Sequence, residues 1–441
     1  MHLSSYLKER GHDVVLLDWA GESLNERKRE QLTSLRADVV GFHVKISSVI
    51  LRATEASRWA REAGSRVVWG GPGPTIITEE VLRGAAVDAV VRNEGEVTFV
   101  ELLDAWERGT PLEDVKGLAF LREGRVVTTG PRERIKELDS LPLPDWRGLD
   151  DLSRYFVPLH GRSTVPIVTS RGCPGRCGFC YAQQMWGGKW KAFSPSRVIE
   201  QMEQILSLDE RIGGFLIIDD LFYAAPTRVQ EICQLIRDRG LDIVWNCEIR
   251  ADLVKPFLLQ EMYHAGCRQV LVGVETGSPR LLSLANKQIE VEDIVRASRM
   301  IHQAGMELYA MLVYGLPTET EEDVRMTERL LKEIRPEYTE SLVYMPYPGT
   351  PLYDLAVQNG FQPPQDLEEW GQVGTFDLSS VETKGLSSVP GQVYEDLDRR
   401  TKRRAVVRSY ISSLSKDPLT APVRGMRYLF RGSRDKGEPE K

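Results

Sequence analysis

The sequence predicts an α/β protein built from two successive βα series, and three observations carry that prediction. Short apolar runs alternate with helical patterns over residues 1–110 and again over residues 165–360. Many of the runs are continuous rather than alternating, as in parallel strands buried on both faces. Between the two series, residues 111–164 carry Pro111, Pro131, Pro142 and Pro144 and show no long period. A length of 441 residues suits about three units of roughly 150 each.

The first series reads as follows. Leu3–Arg10 is a helix closed by Gly11, and Val14–Asp18 an apolar strand. A polar helix over 24–35 precedes a strand over 38–44, and a helix over 49–63 precedes a strand over 66–69. A short helix (78–85), a strand (88–91) and a helix (97–107) complete it. The pattern is a parallel, doubly wound sheet with helices on both faces. Residues 111–164 read as a small strand pair (117–128) and an extended linker, because each proline biases its predecessor away from helix. In the second series the strands are expected near 165–171, 214–220, 242–250, 269–275, 307–315 and 339–346. Helices fall near 194–208, 226–239, 255–265, 290–304 and 319–334. Six such units suit a partial (β/α)6 barrel of the TIM type, with its chemistry at the C-terminal strand ends. Residues 361–441 read as a helical C-terminal region, with Trp370 and Phe376 in a polar loop and a helix over 391–414.

Composition removes several classes. The residues are 41% hydrophobic and 27% charged, and no apolar run approaches the roughly 18 residues of a membrane span. Six cysteines are too few for a disulfide scaffold and suit a reducing, cytoplasmic compartment. A net charge of −7 argues against a uniformly basic nucleic-acid binder.

Half of those cysteines sit together. Ser170-Arg171-Gly172-Cys173-Pro174-Gly175-Arg176-Cys177-Gly178-Phe179-Cys180 places three thiols within eight residues, just after the first strand of the second series. Soft thiolates favour iron–sulfur clusters or zinc. Three ligands leave a four-iron cluster with one iron open to a substrate or cofactor. A structural zinc usually needs a fourth Cys or His nearby, and none lies in the loop. A zinc-bearing binding module is the reading from another class. Cys233, Cys247 and Cys267 read as core, Cys233 in an i, i+3, i+4, i+7 stripe with Val229, Ile232 and Ile236.

The Cys-x3-Cys-x-aromatic-Cys spacing after a βα strand resembles the radical S-adenosylmethionine (SAM) superfamily. The resemblance implies a [4Fe-4S] cluster on Cys173, Cys177 and Cys180 that binds SAM and cleaves it reductively to a 5′-deoxyadenosyl radical. It places Phe179 beside the adenine. It matches Gly273-Val274-Glu275-Thr276-Gly277-Ser278 to a segment whose acid lies near the SAM amino group or ribose. It matches Gly315-Leu316-Pro317 to a turn bordering the adenine, and Tyr347-Pro348-Gly349-Thr350-Pro351-Leu352 to a late barrel motif. From the residues themselves, Asn246, Glu248 and Arg250 share one face of a strand, and Arg250 suits a carboxylate. Asp219 and Asp220 end another strand, where Asp220 is placed for the ribose or the substrate.

The first series resembles the cobalamin-binding domain fused ahead of many radical SAM enzymes, through Val40-Gly41-Phe42, Gly70-Gly71-Pro72 and Asn93-Glu94-Gly95-Glu96. The resemblance implies cobalamin approached by Gly70 and Gly71, its nucleotide tail near Ser47 and Ser48, and Glu94-Gly95 at the same cleft. No Asp-x-His-x-x-Gly is present, so a protein histidine on cobalt is not expected. By the same comparison Met1 falls inside the first helix, and a strand and loop of about 20–25 residues are expected to be missing ahead of it.

Residues 399–436 hold 12 Lys/Arg and two acids, a net of +10, leaving −17 for the rest. Val406, Val407, Tyr410, Ile411 and Leu414 make an apolar stripe beside these charges. The expected readings are a helix docked on an acidic body or a peripheral contact with an anionic membrane surface. Together these features point to a cobalamin-dependent radical SAM enzyme, methylating an unactivated carbon or phosphorus centre. Cyclisation or oxidation with the same cofactors is the alternative. The expected partners are a small or lipophilic substrate and an electron donor such as flavodoxin or ferredoxin, not nucleic acid.

Overall fold

A computed structural model describes residues 1–19, 22–373 and 376–416, with side chains as far as Arg403. It divides into two compact units. One comprises residues 1–214 and 345–376; the other comprises residues 215–344 and the described residues from 377 onward.

The first unit is built on a five-stranded sheet in the order β1 (Val39–His43), β2 (Arg66–Gly70), β3 (Ala89–Val91), β4 (Leu118–Arg122) and β5 (Arg125–Thr128). β1, β2 and β3 are parallel, with helices Val49–Glu62 and Thr78–Gly84 in their connections. Side chains alternate across the sheet as the pleat requires. Val67, Trp69, Val90 and Ala119 join Ile50, Ala53, Ala56 and Ala60 in one core. Val68, Ala89, Val91, Leu118 and Phe120 join Phe99, Leu102 and Ala105 in the other.

Three expectations change here. The strand pair over 117–128 is part of this sheet: β4 pairs antiparallel with β3, Val91 opposite Leu118, so the sheet is mixed. Val14–Asp18 is not a strand. Val15 is 57% exposed, while Val14 and Leu17 pack against the two cores. Val14 and Leu17 find apolar partners, but the backbone has no ladder among the described residues, and a strand needs both. Trp370 lies not in a loop but on helix Leu367–Val373, 2% exposed. Leu367, Trp370 and Val373 fall on one helical face and fill the core beside Ile50, Val81 and Leu82. Acidic neighbours disguise that face in the sequence.

The same unit holds two antiparallel ribbons, β6 (Val157–Leu159) with β7 (Arg162–Ile167), and β8 (Ser170–Arg171) with β9 (Lys191–Ala192). The strand expected over 165–171 is therefore two pieces, and the second bends away to flank the cysteine loop.

In the second unit β10 (Ile212–Ile217, whose last three residues belong to it), β11 (Val244–Ile249), β12 (Cys267–Glu275), β13 (Glu307–Tyr314) and β14 (Tyr338–Val343) are neighbours in that order. β11 to β14 are parallel. Helices Pro226–Asp238, Pro256–His264, Val291–Gln303 and Glu321–Ile334 alternate with them, close to the expected spans. Their buried faces follow the helical period, as with Ile294, Ala297, Ser298 and Ile301. Cys233, Cys247 and Cys267 are fully buried, as core thiols should be.

Helix Gly391–Lys416 matches the expected 391–414. The apolar stripe from Val406 to Leu414 and the basic segment beyond Lys416 lie outside the described side chains. No helix among the described residues is long and apolar enough to cross a membrane.

Candidate active site: a cysteine loop and acidic strand ends

The cysteine loop leaves β8 and returns through helix Ala182–Trp186 to β9. Gly172 opens it with φ +91°, and a Cβ there would lie 2.2 Å from the Lys189 carbonyl oxygen. Only glycine lets the two ends of the loop meet at this point. Cys173, Cys177 and Cys180 are half-buried and free of disulfides. The Gly175 N–H donates to Cys173 Sγ at 3.3 Å, and the Ala182 N–H to Cys180 Sγ at 3.5 Å. Backbone donors aimed at sulfur favour thiolate ligands. Among the described residues no three His, Cys, Asp or Glu side chains close on one metal ion. A four-iron cluster asks for something different: each thiolate binds its own iron, so the sulfurs stand apart. The donor set suits such a cluster.

The loop is backed by the motif at 347–352. The Leu352 N–H donates to the Gly178 carbonyl at 3.0 Å, Gln184 donates to the Pro348 carbonyl, and Tyr347 meets the Tyr181 ring edge-on at 5.2 Å. Phe179 stands half-buried between the second and third cysteines.

At the C-terminal ends of β1 to β3 lie the residues expected for cobalamin. Ser47 and Ser48 precede helix Val49–Glu62, with the Val49 N–H donating to Ser47 Oγ at 3.3 Å. Gly70 and Gly71 follow β2. Gly71 has φ +99°, and a Cβ there would lie 3.0 Å from the His43 ring and the Val44 carbonyl. Its freedom thus serves the packing of the two loops on each other. Glu94 is 8% exposed and already engaged: one oxygen accepts from Arg171 Nη1 at 2.9 Å, the other from the Ile135 N–H at 3.0 Å. Glu96 accepts from Arg171 Nη2 at 2.6 Å. Burial pushes the Glu96 carboxyl up, but the Arg171 guanidinium outweighs it and holds the group below the usual range.

The second unit holds the residues expected for SAM. Glu275 ends β12 with φ +59°, a conformation a non-glycine residue adopts only when its surroundings enforce it. Its Oε1 accepts from Lys287 Nζ at 2.5 Å, both side chains being nearly buried. Glu248, on β11, is pushed up to about 8 by burial, against the pull of Lys287 and with the push of Glu275, Asp220 and Asp219. Arg250 donates to Asp252 at 3.1 Å and to the Lys287 carbonyl at 3.0 Å, so it anchors the segment that carries the lysine. Asp219 is buried and Asp220 half-buried at the end of β10. Gly315, Leu316 and Pro317 are all buried. The Gly315 N–H donates to Glu319 at 2.7 Å, and Tyr394 donates to the same carboxylate at 2.8 Å. Burial pushes Glu319 up to about 7 despite these donors.

Sequence reasoning missed Lys287 and the roles of Asn93 and Arg171. Arg171 stood inside the cysteine motif, and the acid pair Glu94 and Glu96 was the available hint. Lys287 had no local signal, because its carboxylate partners come from other strands.

Comparison with known proteins gives these elements a common origin. Residues 167–331 match the radical SAM superfamily, and residues 1–103 match the B12 binding domain. The chain is 32% identical over 362 residues to an uncharacterized methyltransferase, PH0819, of Pyrococcus horikoshii, covering 81% of this chain and 78% of that protein. It is 29% identical over 363 residues to the anaerobic magnesium-protoporphyrin IX monomethyl ester cyclase of Rubrivivax gelatinosus, covering 80% of this chain but 64% of that protein. In fold it is similar to TsrM of Kitasatospora setae, a radical SAM methyltransferase solved with cobalamin and a [4Fe-4S] cluster bound. The TM-score is 0.67 at 20% identity, over 82% of this chain and 72% of that one. The chain belongs to the radical SAM superfamily, in the group whose partial barrel follows a B12 binding domain.

Proposed function

We propose that the protein is a cobalamin-dependent radical SAM methylase acting on an unactivated carbon or phosphorus centre of a small or lipophilic substrate. The observation that carries this reading is the joining of the cysteine loop and the B12-type sheet within one compact unit. The methyltransferase relative, at 32% identity, supports methyl transfer as the outcome. When bound, the cofactors supply a reducing electron, radical chemistry and a transferable methyl group, with a flavodoxin or ferredoxin as electron donor. Cys173, Cys177 and Cys180 would hold the cluster, with Phe179 covering the adenine side. Asp220, Glu275 and Arg250 would surround SAM directly or through Lys287, and Gly315 and Pro317 would border its adenine. Ser47, Ser48, Gly70, Gly71, Glu94 and Gly95 would line the cobalamin cleft. The acidic strand ends suit a ligand carrying an ammonium and a sulfonium.

The cyclase relatives favour a second reading, in which the same cofactors close a ring without methyl transfer. Anaerobic reconstitution with iron, sulfide, cobalamin and SAM separates the two. A methylase yields S-adenosylhomocysteine together with 5′-deoxyadenosine under reduction. A cyclase yields 5′-deoxyadenosine without S-adenosylhomocysteine. Absence of 5′-deoxyadenosine from protein with its cluster in place would remove both.

A further inference from the structure

The turn that follows β3 grips the cysteine loop at both ends. At the start, Arg171 is 11% exposed and divides its guanidinium between Glu94 and Glu96, at 2.9 and 2.6 Å. At the end, Asn93 donates its amide to the Gln184 and Met185 carbonyls at 3.1 and 2.9 Å, in the helix that closes the loop. Asn93 holds φ +62°, an uncommon conformation that aims its side chain. Arg134 adds a third hold, donating to the Lys189 carbonyl at 2.7 Å and to the Arg171 carbonyl at 3.3 Å.

This arrangement is not what stability alone would select. Buried ion pairs return little net stability after desolvation, and packed apolar groups would serve as well. What they add is direction, since a guanidinium fork fixes both distance and angle to its carboxylates. The properties of an iron–sulfur cluster in turn follow the hydrogen bonds and shape of the loop around it.

We propose that Asn93 and Arg171 are positioning residues that tie the cluster-bearing loop to the cobalamin fold, so that cobalamin binding is felt at the cluster. The inference rests on the cofactor reading above. Neither residue need touch a cofactor.

The test uses the full chain, anaerobically reconstituted and held under excess dithionite, so that added hydroxocobalamin is reduced to cob(II)alamin by the dithionite and the cluster stays reduced. The electron paramagnetic resonance g values of the reduced cluster, read apart from the cob(II)alamin signal, are recorded with and without the probe. In the parent protein, cobalamin changes the signal. In Asn93→Ala and Arg171→Met, iron and cobalamin contents stay at parent levels while that change falls to less than half. Arg171→Lys, which keeps the charge but loses the fork, recovers part of it. Variants that respond like the parent would overturn the inference, as would a parent signal indifferent to bound cobalamin. If Arg171→Met fails to fold, Asn93→Ala decides, because it removes two hydrogen bonds and no charge. A parent that binds a cluster but no cobalamin overturns the cofactor reading itself, and this inference with it.

Discussion

Two regions carry the candidate chemistry, and they manage charge differently. Around the cysteine loop, two cations, Arg171 and Arg134, meet two carboxylates, Glu94 and Glu96. At the strand ends of the second unit, Lys287 meets Glu275 while Glu248, Asp219 and Asp220 lie within the same field. The first region is compensated before any ligand arrives, so its geometry is set in advance. In the second, neighbouring carboxylates add to the burial that pushes Glu248 up, so a proton on Glu248 or a cation nearby eases their repulsion. A frame for a cluster gains from the first arrangement, and a pocket for a cationic cofactor from the second.

The contrast can be broken in three ways. Replacing Cys173, Cys177 or Cys180 with alanine removes a ligand outright. Absorbance near 400 nm should drop to the level of the cluster-free protein, and reductive formation of 5′-deoxyadenosine should fall more than about 100-fold, beyond what supporting residues usually cost. Urea unfolding of the cluster-free protein should change little, because the thiols are half-buried and carry no core.

Lys287→Met acts on the other region and should do the reverse to stability. It leaves Glu275 buried without its partner and beside the half-buried Glu248, and removing one partner of a buried pair costs about 3–5 kcal/mol. Urea unfolding at neutral pH measures this. An unchanged midpoint would mean that the carboxylates are not crowded as described.

The smallest effect concerns pH. Glu319 rises from 4.5 to about 7 on folding because it is buried. Between those values the folded state holds a proton that the unfolded state has lost. Its contribution is therefore fully present below pH 4.5 and lost as pH rises through about 7, by roughly 3 kcal/mol. Glu319→Gln keeps the acceptor for Gly315 and cannot titrate. The difference in stability between parent and variant should slope across that window and flatten above it.

Much of this was legible in the sequence, for a physical reason. Five of the six strands expected in the second series and the helices between them follow local periodicity, and the cysteine loop is a contiguous string. What escaped was non-local. Val14–Asp18 has the apolar content of a strand, but whether it joins a ladder depends on a neighbour. Trp370 looks like a loop residue until the core that receives it is known. Arg171 and Lys287 are ordinary cations in sequence; only the fold brings Glu94 and Glu96 to Arg171 from more than 70 residues away, and turns the end of β12 so that Glu275 meets Lys287.

The helix Leu367–Val373 has a consequence for synthesis. Its apolar face completes a core whose other members lie between Leu32 and Ala119. At about 5–20 residues per second, the ribosome finishes that sheet tens of seconds before it makes Trp370. Throughout that interval the nascent first unit presents Ile50, Val81 and Leu82 without their cover. Chaperone occupancy or aggregation during translation should therefore concentrate on this face, and a chain terminated before residue 367 would never bury it.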